Sequence, residues 1–263
     1  MDLGLQGARV LVAASSRGFG GAAARRFSLE GAHVAINGRD AAWLSQAAEA
    51  LQRDTGHPVI AVQGDVTDAG QAADIVARAA NQLGGLDVLV TNAGGPPSGT
   101  FDSTPLDAWE QGFKLTVMSA VRMIHAALPF LRESDRAAIL TITSVSVKQP
   151  IESLLLSNSL RMSVIGLTKS LAMELGPEGI RVNSILPGWT QTERVTELMA
   201  YRAQAHNISV EEAIRRQAAG SPLGRMGDPA EFANVAVFLC SPAAGYVHGA
   251  MIPVDGGSIQ ATL

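Results

Sequence analysis

Between Val10 and Gly21 the chain reads Val-Leu-Val-Ala-Ala-Ser-Ser-Arg-Gly-Phe-Gly-Gly. The apolar run Val10–Ala14 is long enough for a buried strand, and Ala22–Leu29 reads as helix. Strand, glycine-rich turn and helix together deliver a dinucleotide pyrophosphate to a helix N-terminus. Glycines let the backbone approach the phosphates, and the unpaired N–H groups and helix dipole hold the negative charge. Ser15, Ser16, Arg17, Gly18, Phe19 and Gly20 are the residues expected to do this, with Arg17 adding a cation. Other side chains with chemical potential do not gather. His33, His57, His125, His206 and His248 are scattered, with no metal-ligand spacing to carboxylates or to the lone Cys240, so no metal is expected. Glu193 with Glu197, and Glu211 with Glu212, read as solvated helix faces. Trp109 and Phe113 stand four apart, as packing residues on a helix do.

The elements that must position the turn alternate along the chain. Expected strands are His33–Asn37, Val59–Val62, Leu86–Val90, Ala137–Ile142, Arg181–Leu186 and Ala250–Val254. Expected helices are Ala41–Arg53, Ala69–Leu83, a long one opening at the capping-box pattern Thr104-Pro-Leu-Asp107 and running to about Leu128, and Ser157–Leu175. Two polar helices follow, the second opening at Ser209-Val-Glu-Glu212, and Asp228-Pro-Ala-Glu231 opens the last. The strands are apolar without clean alternation, which predicts a doubly wound α/β fold: a parallel, seven-stranded, Rossmann-type sheet with helices on both faces. No linker or repeat interrupts residues 1–263, which predicts a single dinucleotide-binding domain. Segment 190–225 is polar and helical and follows a strand's C-terminal end, where ligands of open α/β sheets bind. It is expected to be a lid over a small-molecule substrate.

At 263 residues and 47% hydrophobic, the chain buries roughly three quarters of its unfolded surface. A net charge of −4 disfavours nucleic acid or an anionic membrane as the main partner. One cysteine allows no intrachain disulfide, which suits a reducing cytosol. The N-terminus shows no signal peptide. No apolar run is read as approaching the roughly 18 residues of a membrane span. These readings predict a cytoplasmic protein.

The whole chain resembles the short-chain dehydrogenase/reductases. The matching pieces stand in the expected order: Arg17-Gly-Phe-Gly20, Asp65-Val66, Thr91-Asn-Ala-Gly94, Ser144, Arg181-Val-Asn183, Pro187-Gly188 and Val254-Asp-Gly-Gly257. The resemblance implies a nicotinamide cofactor. It places Asp65 and Val66 at the adenine, Asn92, Ala93 and Gly94 on the adenosine side, and Thr192, after Pro187 and Gly188, at the carboxamide. Ala14 departs from the pattern where the family usually has its first glycine. A Cβ is penalised at positive φ, so the first turn is expected to be achieved differently or to be slightly wider. Gly38 stands where an NAD-type carboxylate belongs, and Arg39 follows. With Arg17 it suits the 2′-phosphate of NADP(H), which is therefore favoured over NAD(H). Asp40 is the counter-candidate, but it precedes a helix and reads as its N-cap.

The chemical end departs further. The family pairs a proton-donating tyrosine with a lysine four residues on. A serine thirteen residues before the tyrosine polarises the carbonyl, and an asparagine on the preceding helix anchors a water. Ser144 keeps the serine, but Ser157 replaces the tyrosine, Arg161 the lysine and Thr116 the asparagine. A phenol, which ordinarily titrates at about pH 10, can be tuned toward neutrality; an aliphatic hydroxyl cannot be moved so far. The proton must then come from water, substrate or a lid group such as Glu193, Tyr201 or His206. Three functions stay open. One is an NADP(H)-dependent oxidoreductase on a carbonyl or secondary alcohol, 3-oxoacyl-reductase-like, with an atypical Ser144/Ser157/Arg161 site. The second is a non-catalytic NADP(H)-binding sensor, and the third a non-redox enzyme on the same scaffold. The resemblance also implies a homo-oligomer, tetramer or dimer. Gly94-Gly95-Pro96-Pro97 is either a border of the substrate mouth or an ordinary turn.

Overall fold

The computed structural model describes residues 1–261, leaving aside the side chains of Tyr201 and Ala205. The proton-donor expectation for Tyr201 therefore lies outside the described residues. The strands are β1 (Arg9–Val12), β2 (His33–Gly38), β3 (Val59–Gln63), β4 (Val88–Thr91), β5 (Ala138–Ile142), β6 (Arg181–Pro187) and β7 (Met251–Val254). They form one seven-stranded sheet, order β3-β2-β1-β4-β5-β6-β7, in which every pairing is parallel. The helices are α1 (Gly18–Leu29), α2 (Ala41–Thr55), α3 (Ala69–Leu83), α4 (Leu106–Phe113), α5 (Ser119–Leu131), α6 (Leu155–Leu175), α7 (Glu193–His206), α8 (Val210–Ala218) and α9 (Pro229–Cys240).

The absence of alternation in the strands has a direct cause. Val10 and Val12 pack with Val34, Ile36, Phe27 and Phe232 under α1, α2 and α9. Leu11 and Ala13, between and beyond them, pack with Ala35, Leu89, Ile75 and Met123 under α3, α5 and α6. Successive side chains point to opposite faces, and both faces are covered, so both must be apolar. Chain order runs outward one way from β1 and the other way from β4, so a crevice opens at their C-terminal ends.

At the opposite end of the same strands a partly buried ion pair ties them together. Arg9 Nη2 lies 2.6 Å from Asp87 Oδ1, the Arg9 backbone N–H donates to Asp87 Oδ2 at 2.8 Å, and Ser134 Oγ donates to Oδ1 at 2.7 Å. Burial pushes the Asp87 carboxyl up, but these donors and the guanidinium charge outweigh it and hold the group below the usual carboxylate range.

Several expectations are corrected in detail. Thr104 does not cap a helix: its hydroxyl donates to the Thr100 carbonyl at 2.6 Å, and Pro105 is the N-cap of α4 with no side-chain capping bond. The long helix is not uniform, because a π-helical turn, Lys114–Met118, separates α4 from α5. It continues past Leu128 and through Pro129 to Leu131. This Leu106–Leu131 stretch is also long and apolar enough to cross a bilayer by length and mean hydropathy, 1.2, contrary to the sequence reading. Here Met123, Ile124, Ala127 and Leu131 are spent on the core beneath the sheet. Ser209 accepts from the Glu212 N–H as expected, while the Glu212 carboxylate pairs with Arg215 and Arg216. Asp228 and Glu231 form the full reciprocal capping box.

Asp87 gives a pH test. A carboxyl held low in the folded state contributes stability above its unfolded value, about 3.9, that is lost as pH falls through the folded value. Urea denaturation between pH 7 and pH 3 is expected to show declining stability at the acid end, with a shallower decline in Asp87→Asn.

Candidate active site at the crevice between β1 and β4

The glycine turn is built by close approaches. A Cβ on Gly20 would lie 2.7 Å from the Ala14 carbonyl oxygen, 2.8 Å from Ser15 Cα and 2.9 Å from Asn92 Nδ2. Only glycine lets α1 descend this far onto the turn. Gly18 sits at φ +59°, a second position that disfavours a side chain. Ala14 itself adopts φ +45°. The turn is therefore neither rerouted nor avoided: Ala14 takes the left-handed conformation and bears the strain. Asn37 Oδ1 receives the Ala14 N–H at 3.1 Å, and Asn92 Nδ2 donates to the Ala14 carbonyl at 3.0 Å, so both peptide groups are pinned.

The predicted cofactor residues divide into two sets. Ser15 is used internally: its N–H donates to Asn37 O at 2.7 Å, its Oγ donates to Val12 O at 2.6 Å and accepts from the Asn37 N–H. Val66 is a core residue. Thr192 is buried as the N-cap of α7, accepting from the Val195 N–H at 3.4 Å. Gly188 allows contact with the β7 end, since a Cβ there would lie 2.7 Å from Asp255 Cβ. Pro187 closes β6 beside it, paired with Val254. Ser16 and Arg17 face outward. Ser16 Oγ packs beside Gly38, at 3.4 Å from where a Cβ would stand. Arg17 lies over the Trp43 ring at 5.4 Å and occupies the N-cap of α1, whose first turn receives no side-chain cap. Those first-turn N–H groups await an anion. Phe19 packs on Phe232, centroids 4.4 Å apart. Arg39 is exposed and lies 3.7 Å from Asp65, whose other oxygen accepts from Thr67. Asp40, exposed at the end of β2, caps α2 by accepting from the Trp43 N–H through Oδ1. A shallow groove of about 600 Å³ opens beside Arg39 and Asp65 and runs toward Arg78.

The chemical end lies at the C-terminal ends of β4 and β5. Ser144 is half-buried, with its Oγ accepting from the Ser146 N–H at 3.1 Å. Ser157, buried on the first turn of α6, is bonded to Ser146 Oγ at 3.2 Å and accepts from Arg161 Nε at 3.2 Å. Arg161 Nη1 donates to the carbonyls of Thr143, at 3.1 Å, and Ile142, at 3.4 Å. Ser157 thus reaches the Ser144 loop through Ser146, a residue the sequence reading passed over although Ser-Val-Ser displays it. Asn158, next along, fastens the neighbouring loop by donating to Ile151 O and accepting the Ile151 N–H. Burial, and then the charge of Arg194, push the Arg161 guanidinium down to about 10. It remains a cation at neutral pH.

Thr116 is on the π-helical turn. Its Oγ1 is buried with no hydrogen-bond partner among the described residues. With Asn92, Ala93, Gly94 and Arg161 it lines a cavity of about 10 Å³, room for about one water. An orphaned hydroxyl beside a cation, an uncapped helix N-terminus over glycines and two outward arginines fit a dinucleotide and a small polar reactant.

A family model described as enoyl-(acyl carrier protein) reductase matches residues 13–258. Dehydrogenase/reductase SDR family member 4 of Oryctolagus cuniculus is 33% identical over 252 residues, covering 94% of this chain and 92% of that protein. The chain is a short-chain dehydrogenase/reductase. L-rhamnose 1-dehydrogenase (NAD(P)(+)) of Sphingomonas sp. (strain SKA58) is 37% identical over 254 residues, 96% of each chain. L-sorbose reductase of Gluconobacter frateurii, solved with NADPH and L-sorbose, superposes with a TM-score of 0.95 at 31% identity, covering 99% of this chain and 100% of that one. Like these family members, the chain is an NAD(P)-dependent oxidoreductase working between CH–OH and C=O.

Two substitutions in one turn should act oppositely. Ala14→Gly removes left-handed strain of about 1–2 kcal/mol, partly offset by unfolded-state entropy, and should raise Tm by a few degrees. Gly20→Ala forces a Cβ into backbone and should lower stability by about 1–3 kcal/mol. Thermal unfolding of both variants checks this.

Proposed function

We propose that this dehydrogenase/reductase uses NADP(H) in preference to NAD(H) and interconverts a carbonyl and a secondary alcohol without a phenolic proton donor. The observation that carries the cofactor choice is the end of β2. Gly38 leaves no carboxylate there, Asp40 serves as the cap of α2, and Arg17 and Arg39 lie in the turns that follow the paired strands β1 and β2, with the Ser16 hydroxyl beside Gly38. Two guanidinium groups suit a 2′-phosphate. Bound NADPH supplies the hydride. The first-turn N–H groups of α1 hold the pyrophosphate, with Gly18 and Gly20 permitting the approach. Asn92, Ala93 and Gly94 border the adenosine side, Asp65 and Val66 the adenine, and Pro187, Gly188 and Thr192 the carboxamide.

At the reacting carbon, the hydride enters the carbonyl carbon and one proton must reach the oxygen. Ser144 Oγ accepts from Ser146 and keeps its own proton free to hydrogen-bond the substrate oxygen. Ser157 accepts from Arg161, so its proton points toward Ser146 or the crevice. Neither hydroxyl gives up a proton near neutral pH. Arg161 stabilises developing negative charge on the oxygen and holds the ribose hydroxyls. A water held at Thr116 Oγ1 and its small cavity would relay the proton in from solvent, taking one up as it passes one on, so that no hydroxide is left behind. Helices α7 and α8 act as the substrate lid. The chain is read as a homo-oligomer, supported by exposed Leu106, Phe113, Met162 and Met173 on the outer faces of α4 and α6.

The test is fluorescence titration with NADPH and NADH, followed by a substrate screen. NADPH is expected to bind at least tenfold tighter. Arg39→Ala should erase about a tenfold part of that preference, about 1.4 kcal/mol, with NADH affinity unchanged. Equal binding of both nucleotides would sink the 2′-phosphate assignment. Tight NADPH binding without turnover of any substrate would favour the sensor reading, which the missing tyrosine supports.

A further inference from the structure

Two arginines stand near the end of β4: Arg161 lines the small cavity with Asn92, Ala93 and Gly94, and Arg194 packs on Gly95 and Pro96. Arg161 donates only to a serine hydroxyl and to two backbone carbonyls. Arg194, on the first turn of α7, donates from Nη2 to the Pro96 carbonyl at 3.0 Å. Its guanidinium lies flat against Gly95, where a Cβ would stand 2.7 Å from both Cζ and Nη2. Among the described residues neither Arg161 nor the exposed Arg194 belongs to an ion pair, as is also true of Arg17, Arg53, Arg122, Arg181 and Arg202. The Arg161 guanidinium is held down first by burial and second by the charge of Arg194.

Like charges around a crevice are unfavourable until something negative enters. The pyrophosphate is not that partner for Arg194, because its cradle is the glycine turn after β1. Arg194 instead leans on Gly95-Pro96, beyond the end of β4. That loop continues to Gly99, which pairs with Leu154 at the start of α6. The wall so formed runs from Arg194 to the Ser157 turn, on the substrate side of the crevice.

We infer that the substrate carries an oxoanion, a carboxylate or phosphate, held by Arg194 at the mouth while its carbonyl lies against Ser144 and Ser157. The inference deepens the oxidoreductase reading and rests on it for the location of the carbonyl. An anion bound between two cations also offsets the repulsion on Arg161. The Gly94-Gly95-Pro96-Pro97 segment is then the border of the substrate mouth, with Gly95 required because a side chain would displace the arginine.

Matched probes test this. NADPH-loaded protein is offered straight-chain 2-, 3- and 4-oxo acids against their methyl esters, and dihydroxyacetone phosphate against dihydroxyacetone. Turnover is followed by NADPH absorbance and binding by calorimetry. Acidic probes are expected to bind and react at least tenfold better than their neutral partners, and the preferred series tells carboxylate from phosphate. Arg194→Gln should raise KM for the acid at least tenfold with little change in kcat, leave the neutral partner untouched and leave NADPH affinity unchanged. Esters equal to acids, no binding of any acid, or a loss of NADPH affinity in Arg194→Gln would overturn the inference. Failure of NADPH itself to bind would instead strike the cofactor reading, and calorimetry of the acids without nucleotide then decides the anion site separately.

Discussion

The hydrogen bond from Asn92 Nδ2 to the Ala14 carbonyl, 3.0 Å long, is the constraint on which the crevice depends. It joins the ends of β1 and β4 across the point where strand order reverses, between residues 78 positions apart. Gly20 lies directly beneath it, so the helix that presents its N-terminus to phosphate is pressed against this bond. Ala14 holds a left-handed conformation to make the carbonyl available. Strain at a binding turn persists only where the surroundings over-determine it. Here Asn37 fixes one side of the Ala14 residue and Asn92 the other. The chain has kept the geometry of a glycine turn while giving up one of its glycines.

Across the crevice, one substitution forces others. A lysine ammonium is a compact, movable point charge, whereas guanidinium is a planar fork that must be satisfied along its edges. Arg161 meets that demand with the carbonyls of Ile142 and Thr143 and with Ser157 Oγ. A serine at position 157 is short enough to sit inside this network, bonded to Ser146 behind the Ser144 loop. The pair Ser157 and Arg161 is therefore a coherent alternative arrangement of hydroxyls around a fixed charge. In the function proposed above it would orient and polarise, with no group of intermediate pKa with which to protonate.

Much of the fold was legible because local signals and tertiary demands agreed. Helix α3 matches its expected limits, Ala69–Leu83, since Asp68 caps one end and Gly84 takes φ +75° at the other. The seven strands were visible as short apolar runs because both faces of the sheet are covered. Thr104 misled because its hydroxyl found a nearer partner in the Thr100 carbonyl. The π-helical turn left no pattern in composition, though it sets the place of Thr116. In the site, Ser144, Ser157 and Arg161 were singled out through the resemblance to the family, whose serine, tyrosine and lysine positions they occupy. Arg194 was not, because its role depends on a loop 98 positions earlier in the chain.

The orphaned Thr116 hydroxyl bears on where the proton enters. A threonine bonded to its own helix, as Ser119 is to the Leu115 carbonyl, would need nothing more. Thr116 lies on the π turn, and its Oγ1 is left without a partner in a buried space of about one water. Leaving such a group unpaired costs about 1–3 kcal/mol, so an occupant that bonds it is favoured. The same space is lined by Arg161, whose positive charge orients a water with its oxygen toward the guanidinium and its protons away. On the function proposed above, a water held there would relay a proton in from solvent to the substrate oxygen. It can be replenished from solvent, and its protonation state does not depend on tuning a side chain.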